Sequence, residues 1–399
     1  MKEIRLICVE AKNNNKYYNM KEQSDGTFLV EYGRVGVTVN NVSYPMSKWD
    51  SKYREKIKKG YKDVSEIFVE SSKEKVDFID IQDSVIKGLV DVLQSYANTS
   101  VSSNYLVGAG EVTQKQIEEA QKIIDELSTR VLNNNNINVN RYLLDLYKII
   151  PRKMKNVKNH IIPENNKFDE SLKLAKSLLS NEQDLLDTMK GQVRVNQVSH
   201  NEKNNTLLDA IGIEIIRCDD DEIYRIKNMM NNVKDNFQNS FKINNIKTRD
   251  RFESFVSSKR NKKTELLWHG SRNQNWWNIL DSGLMIRPSN AIHTGSMFGC
   301  GIYFANKARK SLGYTSLHGS YWASGNDNKG FLALYNVHVG NQYITQRHQH
   351  DYYNLNEQNL KKYGDYDSVY AKGGADLRND EFIVYNTAQS TIEYLIETH

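Results

Sequence analysis

Only three cysteines, Cys8, Cys218 and Cys300, occur in 399 residues, far apart and odd in number. That argues against a disulfide framework and leaves no cluster of thiols for a zinc finger. No apolar run approaches the ~20 residues that cross a bilayer, and the opening Met1-Lys2-Glu3-Ile4-Arg5 lacks the apolar core of a secretory signal. The expectation is an intracellular protein that does not engage membranes. Charge of one sign is also scarce: a net charge of +5 and a pI near 8.7 permit a polyanionic partner without demanding one. No glycine-rich turn has the Rossmann spacing, so nothing points to hydride transfer. What is present is an ordinary balance of 39% hydrophobic and 26% charged residues, with length for two or three domains and a sizeable core.

Along the chain, residues 3–9 and 28–39 carry branched and aromatic side chains broken by Asn, Asp and Gly turns, and predict a small β-sheet. Residues 48–62 crowd Lys52, Arg54, Lys56, Lys58, Lys59 and Lys62 onto one expected helix, a local positive face. From residue 76 the texture turns helical, with Ile81, Val85, Ile86, Leu89, Val90 and Leu93 three and four apart. Thr113 and Gln116 form a capping-box pattern ahead of an Ile117, Ala120, Ile123, Ile124, Leu127, Val131 stripe, and the Asn133–Asn136 run ends it. Further helices are expected over 141–150 and 169–189, separated by Pro151 and Pro163. Beyond about residue 214, strand-like alternation rich in aromatics and glycine predicts an α+β domain.

Three segments carry the chemistry. In Leu266-Leu267-Trp268-His269-Gly270-Ser271-Arg272, an imidazole is followed by a glycine that lets backbone approach a ligand closely. Tyr303 lies in Gly301-Ile302-Tyr303-Phe304-Ala305, and Glu381 opens Glu381-Phe382-Ile383-Val384-Tyr385, where a carboxylate beside large apolar residues needs a positive or hydrogen-bonding partner. Such a carboxylate suits a bond cleavage that passes through an oxocarbenium-like state.

Together these segments resemble the catalytic core of the poly(ADP-ribose) polymerases. The resemblance implies that His269, Tyr303 and Glu381 form the catalytic set, and that NAD is consumed as a substrate, without a metal. It also implies that Gly270 and Ser311 grip the nicotinamide carboxamide, that Ser271 and Arg272 meet the adenosine side, that Tyr303 and Tyr314 enclose the nicotinamide, and that Lys310 stands nearby. Taken alone, Lys310 reads equally as a solvated lysine, and most tyrosines as core aromatics.

Upstream, Tyr32-Gly33-Arg34-Val35-Gly36 resembles the signature of the tryptophan-glycine-arginine domain of the DNA-dependent members, with Tyr32 in place of the tryptophan. Tyr32 would then stack on a sugar or base, and Arg34 would pair with phosphate or bridge to the helical segment. Lys52, Arg54 and Lys58 are the further DNA candidates, although Gly33 and Gly36 read equally as shapers of a hairpin. Val107-Gly108-Ala109-Gly110 and Leu146-Tyr147-Lys148-Ile149-Ile150-Pro151 look like landmarks of the family's helical regulatory domain.

The implied organisation is an α+β multidomain chain: a small β-rich DNA-binding domain over 1–75, an α-helical regulatory domain over 76–200, and an ADP-ribosyltransferase domain over 201–399. The implied partners are DNA ends or breaks and acceptor proteins, including the chain itself, which is expected to be monomeric without DNA. A place in DNA repair follows, with nuclear localisation if the source is eukaryotic. Ser296 and Cys300 depart from residues common in the DNA-dependent members, and the loop over 370–380 is short, which leaves product length open. A constitutive mono-ADP-ribosyltransferase and a DNA-end scaffold with a vestigial transferase fold remain alternatives.

Overall fold

The structure is a computed structural model and describes residues 2–37, 39–65, 78–132, 138–163, 168–196, 205–286 and 297–399. The Asn133–Asn136 run, Ser296 and both expected domain boundaries, at 75/76 and 200/201, lie outside them. The chain forms two compact units, and the division falls within one helix, between Ala97 and Asn98.

The first unit begins with β1 (Glu3–Glu10), β2 (Asn14–Glu22), β3 (Thr27–Arg34) and β4 (Asn40–Pro45), followed by α1 (Trp49–Lys58) and the short β5 (Lys62–Asp63). They make one antiparallel sheet in the order β4-β3-β2-β1-β5. In β1, Leu6, Ile7, Cys8 and Val9 are all buried because both faces are covered. Leu6, with Tyr18, Met20, Phe28 and Val30, packs against Trp49 of α1, whereas Ile7 and Val9 join the helical core. Strands β2 and β4 were invisible in the sequence, because their core-facing Tyr18, Met20, Val42 and Tyr44 lie among polar residues.

That helical core is built from α2 (Ser84–Asn104), whose residues from Asn98 belong to this unit, with α3 (Gln114–Leu132), α4 (Val139–Ile149) and α5 (Phe168–Asn196). The capping box ahead of α3 is formed as expected: Gln116 N–H donates to Thr113 Oγ1 at 3.2 Å, and Thr113 N–H to Gln116 Oε1 at 2.9 Å. Ile117, Ala120, Ile124, Leu127 and Val131 are buried along one stripe.

The second unit holds the first part of α2, then α6 (Leu207–Ile211), β6 (Ile213–Arg217), α7 (Asp220–Met230), β7 (Phe237–Asn245) and α8 (Ile246–Ser258). After these come β8 (Thr264–Ser271), α9 (Trp276–Ser282), β9 (Ile302–Phe304), α10 (Ala308–Leu312), β10 (Gly330–His338) and β11 (Gln342–Thr345). The chain ends with α11 (Glu357–Leu360), β12 (Ser368–Ala371), β13 (Glu381–Val384) and β14 (Ser390–Thr398). The strands form two sheets, β6-β7-β14-β10-β8 and β11-β12-β13-β9, antiparallel except for the β11–β12 pair. The α+β architecture expected from the sequence is present. Among the described residues no helix is long and apolar enough to cross a membrane.

An ion pair is sealed inside the first unit. Arg152 Nη2 lies 3.4 Å from Glu182 Oε1, both side chains 3% exposed, while Arg152 Nε and Nη1 have no hydrogen-bond partner among the described residues. The Tyr147 hydroxyl donates to the His160 carbonyl at 2.8 Å and sits 3.4 Å from the same Glu182 oxygen. Burial pushes the Glu182 carboxyl up, against the pull of Arg152 and Tyr147. Removing one partner strands a buried charge, so Glu182→Ala is expected to cost roughly 3–5 kcal/mol, whereas replacing both by Met and Leu is expected to be near neutral. Urea unfolding followed by circular dichroism of both variants checks this.

Candidate active site

Trp268 and Ala305 join the two sheets of the second unit: Trp268 N–H donates to Ala305 O at 2.8 Å, and Ala305 N–H to Trp268 O at 2.9 Å. Side by side, therefore, stand β8 with His269 and Gly270, β9 with Tyr303, and β13, paired to β9, with Glu381 at its start. The sequence separates these residues widely, and three strands bring them together.

His269 Nδ1 sits 3.0 Å from the Tyr303 carbonyl, so Nδ1 carries the proton and donates, leaving Nε2 as a lone-pair acceptor. Trp276, Phe304 and Tyr335 meet the imidazole edge-on at 6.5, 5.8 and 5.9 Å. Burial pushes its pKa down to about 4, and the Tyr303 hydrogen bond offsets only part of this. A neutral Nε2 suits a ribose hydroxyl.

Gly270 has no room for a side chain: a Cβ there would stand 2.0 Å from the Ser311 carbonyl oxygen. Trp268 spends its amide and carbonyl on the side away from β10, and the two-residue period of a strand turns those of Gly270 to that same side. A donor and an acceptor side by side match a primary carboxamide. Ser311, buried on α10, closes that edge.

Tyr303 is fixed at its hydroxyl, which donates to the Gly299 carbonyl at 2.8 Å and accepts from Phe298 N–H at 3.0 Å. Its pKa is driven well up by burial, with Glu381 adding to the rise. Tyr314 is 40% exposed, and its hydroxyl is pushed up to about 12 by burial and by Glu381. Cys300 is half-buried beside this loop, its N–H on the Leu355 carbonyl at 3.0 Å.

Glu381 is 8% exposed, and its Oε1 pairs with Lys310 Nζ. Lys310 is therefore not a solvated lysine; it also reaches the Asp380 carbonyl at 3.2 Å, and burial pulls its pKa down against the opposing effect of Glu381. Glu381 Oε2 is buried with no hydrogen-bond partner among the described residues. Leaving a buried acceptor unpaired costs about 1–3 kcal/mol, which a donor such as a ligand hydroxyl would offset.

Asp380 was missed in the sequence, although its signal was a second acid in Asn379-Asp380-Glu381. Its carboxylate accepts from Asn306 Nδ2 at 2.8 Å, the Tyr370 hydroxyl at 3.1 Å and Gly373 N–H at 2.8 Å, tying the short 372–380 loop to the start of β13. Burial raises its pKa, but these hydrogen bonds outweigh it and hold the carboxyl low. Ser271 and Arg272 end β8, Ser271 Oγ accepting from Asn275 Nδ2 at 3.1 Å and Arg272 exposed. Among the described residues no three His, Cys, Asp or Glu side chains gather as a metal site would.

The other candidates lie in the first unit. Tyr32 is 39% exposed and sits 6.1 Å from Tyr18, over which Lys56 of α1 folds at 4.1 Å, so Tyr32 shares the face that carries α1. Arg34 is committed elsewhere: Nη1 and Nη2 donate to the Asn13 carbonyl and side chain at 2.8 and 2.7 Å, and Nη2 to the Lys155 carbonyl at 2.9 Å. Lys52 pairs with Glu55 at 3.3 Å and covers Tyr44 at 4.8 Å, whereas Arg54 and Lys58 are exposed.

Residues 220–399 match the family model described as the poly(ADP-ribose) polymerase catalytic domain. A protein of Invertebrate iridescent virus 6 described as putative poly [ADP-ribose] polymerase-like 100L is 39% identical over 163 residues, which are 39% of this chain and 82% of that protein. Uncharacterized protein 101L of the same virus is 39% identical over 208 residues, 52% of this chain and 83% of that one. Poly [ADP-ribose] polymerase 2 of Arabidopsis thaliana is 24% identical over 385 residues, covering 82% of this chain and 58% of that protein.

Three outcomes are expected. The low His269 pKa keeps Nε2 an acceptor down to about pH 4, so calorimetric NAD affinity should stay level from pH 8 to 6 and fall as pH approaches 4. Since the unfolded chain protonates this histidine near 6.5, it binds more protons than the fold across that window, and stability should rise with pH there; His269→Gln should flatten that contribution. Gly270→Ala drives a Cβ into the Ser311 backbone and should abolish the NAD-induced rise in melting temperature, with an overpacking cost of about 1–3 kcal/mol.

Proposed function

The chain belongs to the poly(ADP-ribose) polymerase family and is an NAD+ ADP-ribosyltransferase, and from that premise we propose a polymerase switched on by DNA strand breaks. It transfers ADP-ribose from NAD to protein acceptors, itself included, releases nicotinamide and elongates the chain. The observation that carries this reading is Glu381: one oxygen held by Lys310, the other buried and without a hydrogen-bond partner among the described residues. A carboxylate so placed stabilises positive charge developing on the ribose and orients the hydroxyl that attacks. Neutral His269 Nε2 holds the donor's ribose, and Gly270 with Ser311 holds the leaving nicotinamide.

DNA sensing is assigned to the first unit, through the exposed ring of Tyr32 for stacking and Arg54 and Lys58 for phosphate. Arg34 serves there as an internal clamp on Asn13 and Lys155, which stabilises the surface that DNA meets.

Measuring NAD consumption and product length with and without a 5′-phosphorylated DNA break tests the proposal. Stimulation with long products is expected, and Arg54→Glu with Lys58→Glu should lower the stimulation while sparing basal turnover. Glu381→Gln should keep NAD binding and lower turnover by a factor on the order of 10² to 10³. Equal activity without DNA would leave a constitutive transferase in its place.

A further inference from the structure

Immediately beyond the transfer centre lies a surface that catalysis does not account for. Lys310 of α10 holds Glu381, and the helix ends at Gly313 and Tyr314. The loop that follows folds back onto this end: Trp322 and Ala323 N–H both donate to the Gly313 carbonyl, at 2.9 and 3.1 Å. A Cβ at Gly313 would lie 3.2 Å from Trp322 Cδ1, so the indole rests directly on the glycine. Tyr314 and Trp322 are stacked, their planes 17° apart with centroids at 6.0 Å, and Tyr321 meets Trp322 edge-on at 4.7 Å.

These rings are not core. Tyr314 is 40%, Tyr321 78% and Trp322 62% exposed, so the loop holds three aromatic side chains in water at a hydrophobic cost that packing does not repay. Ser320 Oγ shapes the turn, donating to the Thr315 carbonyl at 2.8 Å and accepting from Gly325 N–H at 2.8 Å. The exposure of the rings is thus built into an ordered loop.

Along this stretch of chain the charge has one sign. From Ala305 to Asn326 the sequence holds Lys307, Arg309, Lys310 and His318 and no acid. Arg309 is exposed, has no ion pair among the described residues, and stands four positions before Gly313, on the helix face where Trp322 rests. Exposed rings beside the unpaired Arg309 are what the bases and phosphates of a single strand require. A protein partner would find no donors or acceptors in the rings beyond two hydroxyls and one indole N–H.

We propose that Tyr321 and Trp322, with Arg309, form a binding ledge for single-stranded nucleic acid at the mouth of the transferase site. This goes beyond the DNA-sensing reading and does not depend on it, because the ledge lies in the second unit and the break-sensing residues in the first.

The test is anisotropy of a short fluorescein-labelled oligothymidylate with the full chain, with a blunt hairpin duplex and an ADP-ribose oligomer as the other probes. Trp322→Ala and Tyr321→Ala should each weaken the single strand about tenfold, leave the duplex unchanged and leave basal NAD hydrolysis unchanged, while Trp322→Phe retains binding. Arg309→Ala should lower the slope of log affinity against log salt by roughly 0.7. Parental oligothymidylate affinity in Trp322→Ala overturns the ledge. So does an equal loss for the duplex, or sensitivity confined to the ADP-ribose oligomer. Loss of duplex-dependent stimulation in Arg54→Glu/Lys58→Glu with single-strand binding intact separates this site from the break sensor.

Discussion

Two backbone hydrogen bonds between Trp268 and Ala305 hold the transferase centre in register. They lock β8 to β9, and β9 in turn pairs with β13, so the imidazole, the phenol and the carboxylate arrive on neighbouring strands. Strands fix side chains more tightly than loops do, which matters where a misplacement of about 1 Å can cost a hundredfold in rate. The same bridge turns the Gly270 amide and carbonyl away from β10, so that one pairing brings the three side chains together and also leaves a donor and an acceptor side by side on that edge.

Around that frame, burial tunes each group for its task. His269 is kept neutral, Tyr303 is kept protonated, and Glu381 has one oxygen on Lys310 and the other buried without a partner among the described residues. Such half-satisfied buried charge costs stability in an empty site and is repaid when a hydroxyl binds. Asp380 anchors the arrangement from behind through Asn306, Tyr370 and Gly373.

In the first unit the cations are used unequally. Lys2, Lys52 and Lys56 fold over Trp49, Tyr44 and Tyr18, so part of the basic face on α1 is spent on packing. Arg54 and Lys58 stay in solvent, and Arg34 joins chain segments 121 residues apart. Counting lysines along a helix therefore overstates the charge that a polyanion would meet.

What the sequence determined by itself was local. His269-Gly270-Ser271, the Tyr303 segment and Glu381 could be read as a set, as could the Thr113–Gln116 capping box and the buried stripe of α3, because each lies within one strand or a few helical turns. Only the tertiary structure decided that Lys310 pairs with Glu381 across 71 residues, that Arg34 reaches Lys155, that β2 and β4 are strands, and that Tyr321 and Trp322 stand in solvent. The reason is physical. Capping and periodicity are properties of neighbouring residues, whereas burial, ion pairing and strand partnership depend on what distant segments bring to the same place, and local propensity carries no record of that.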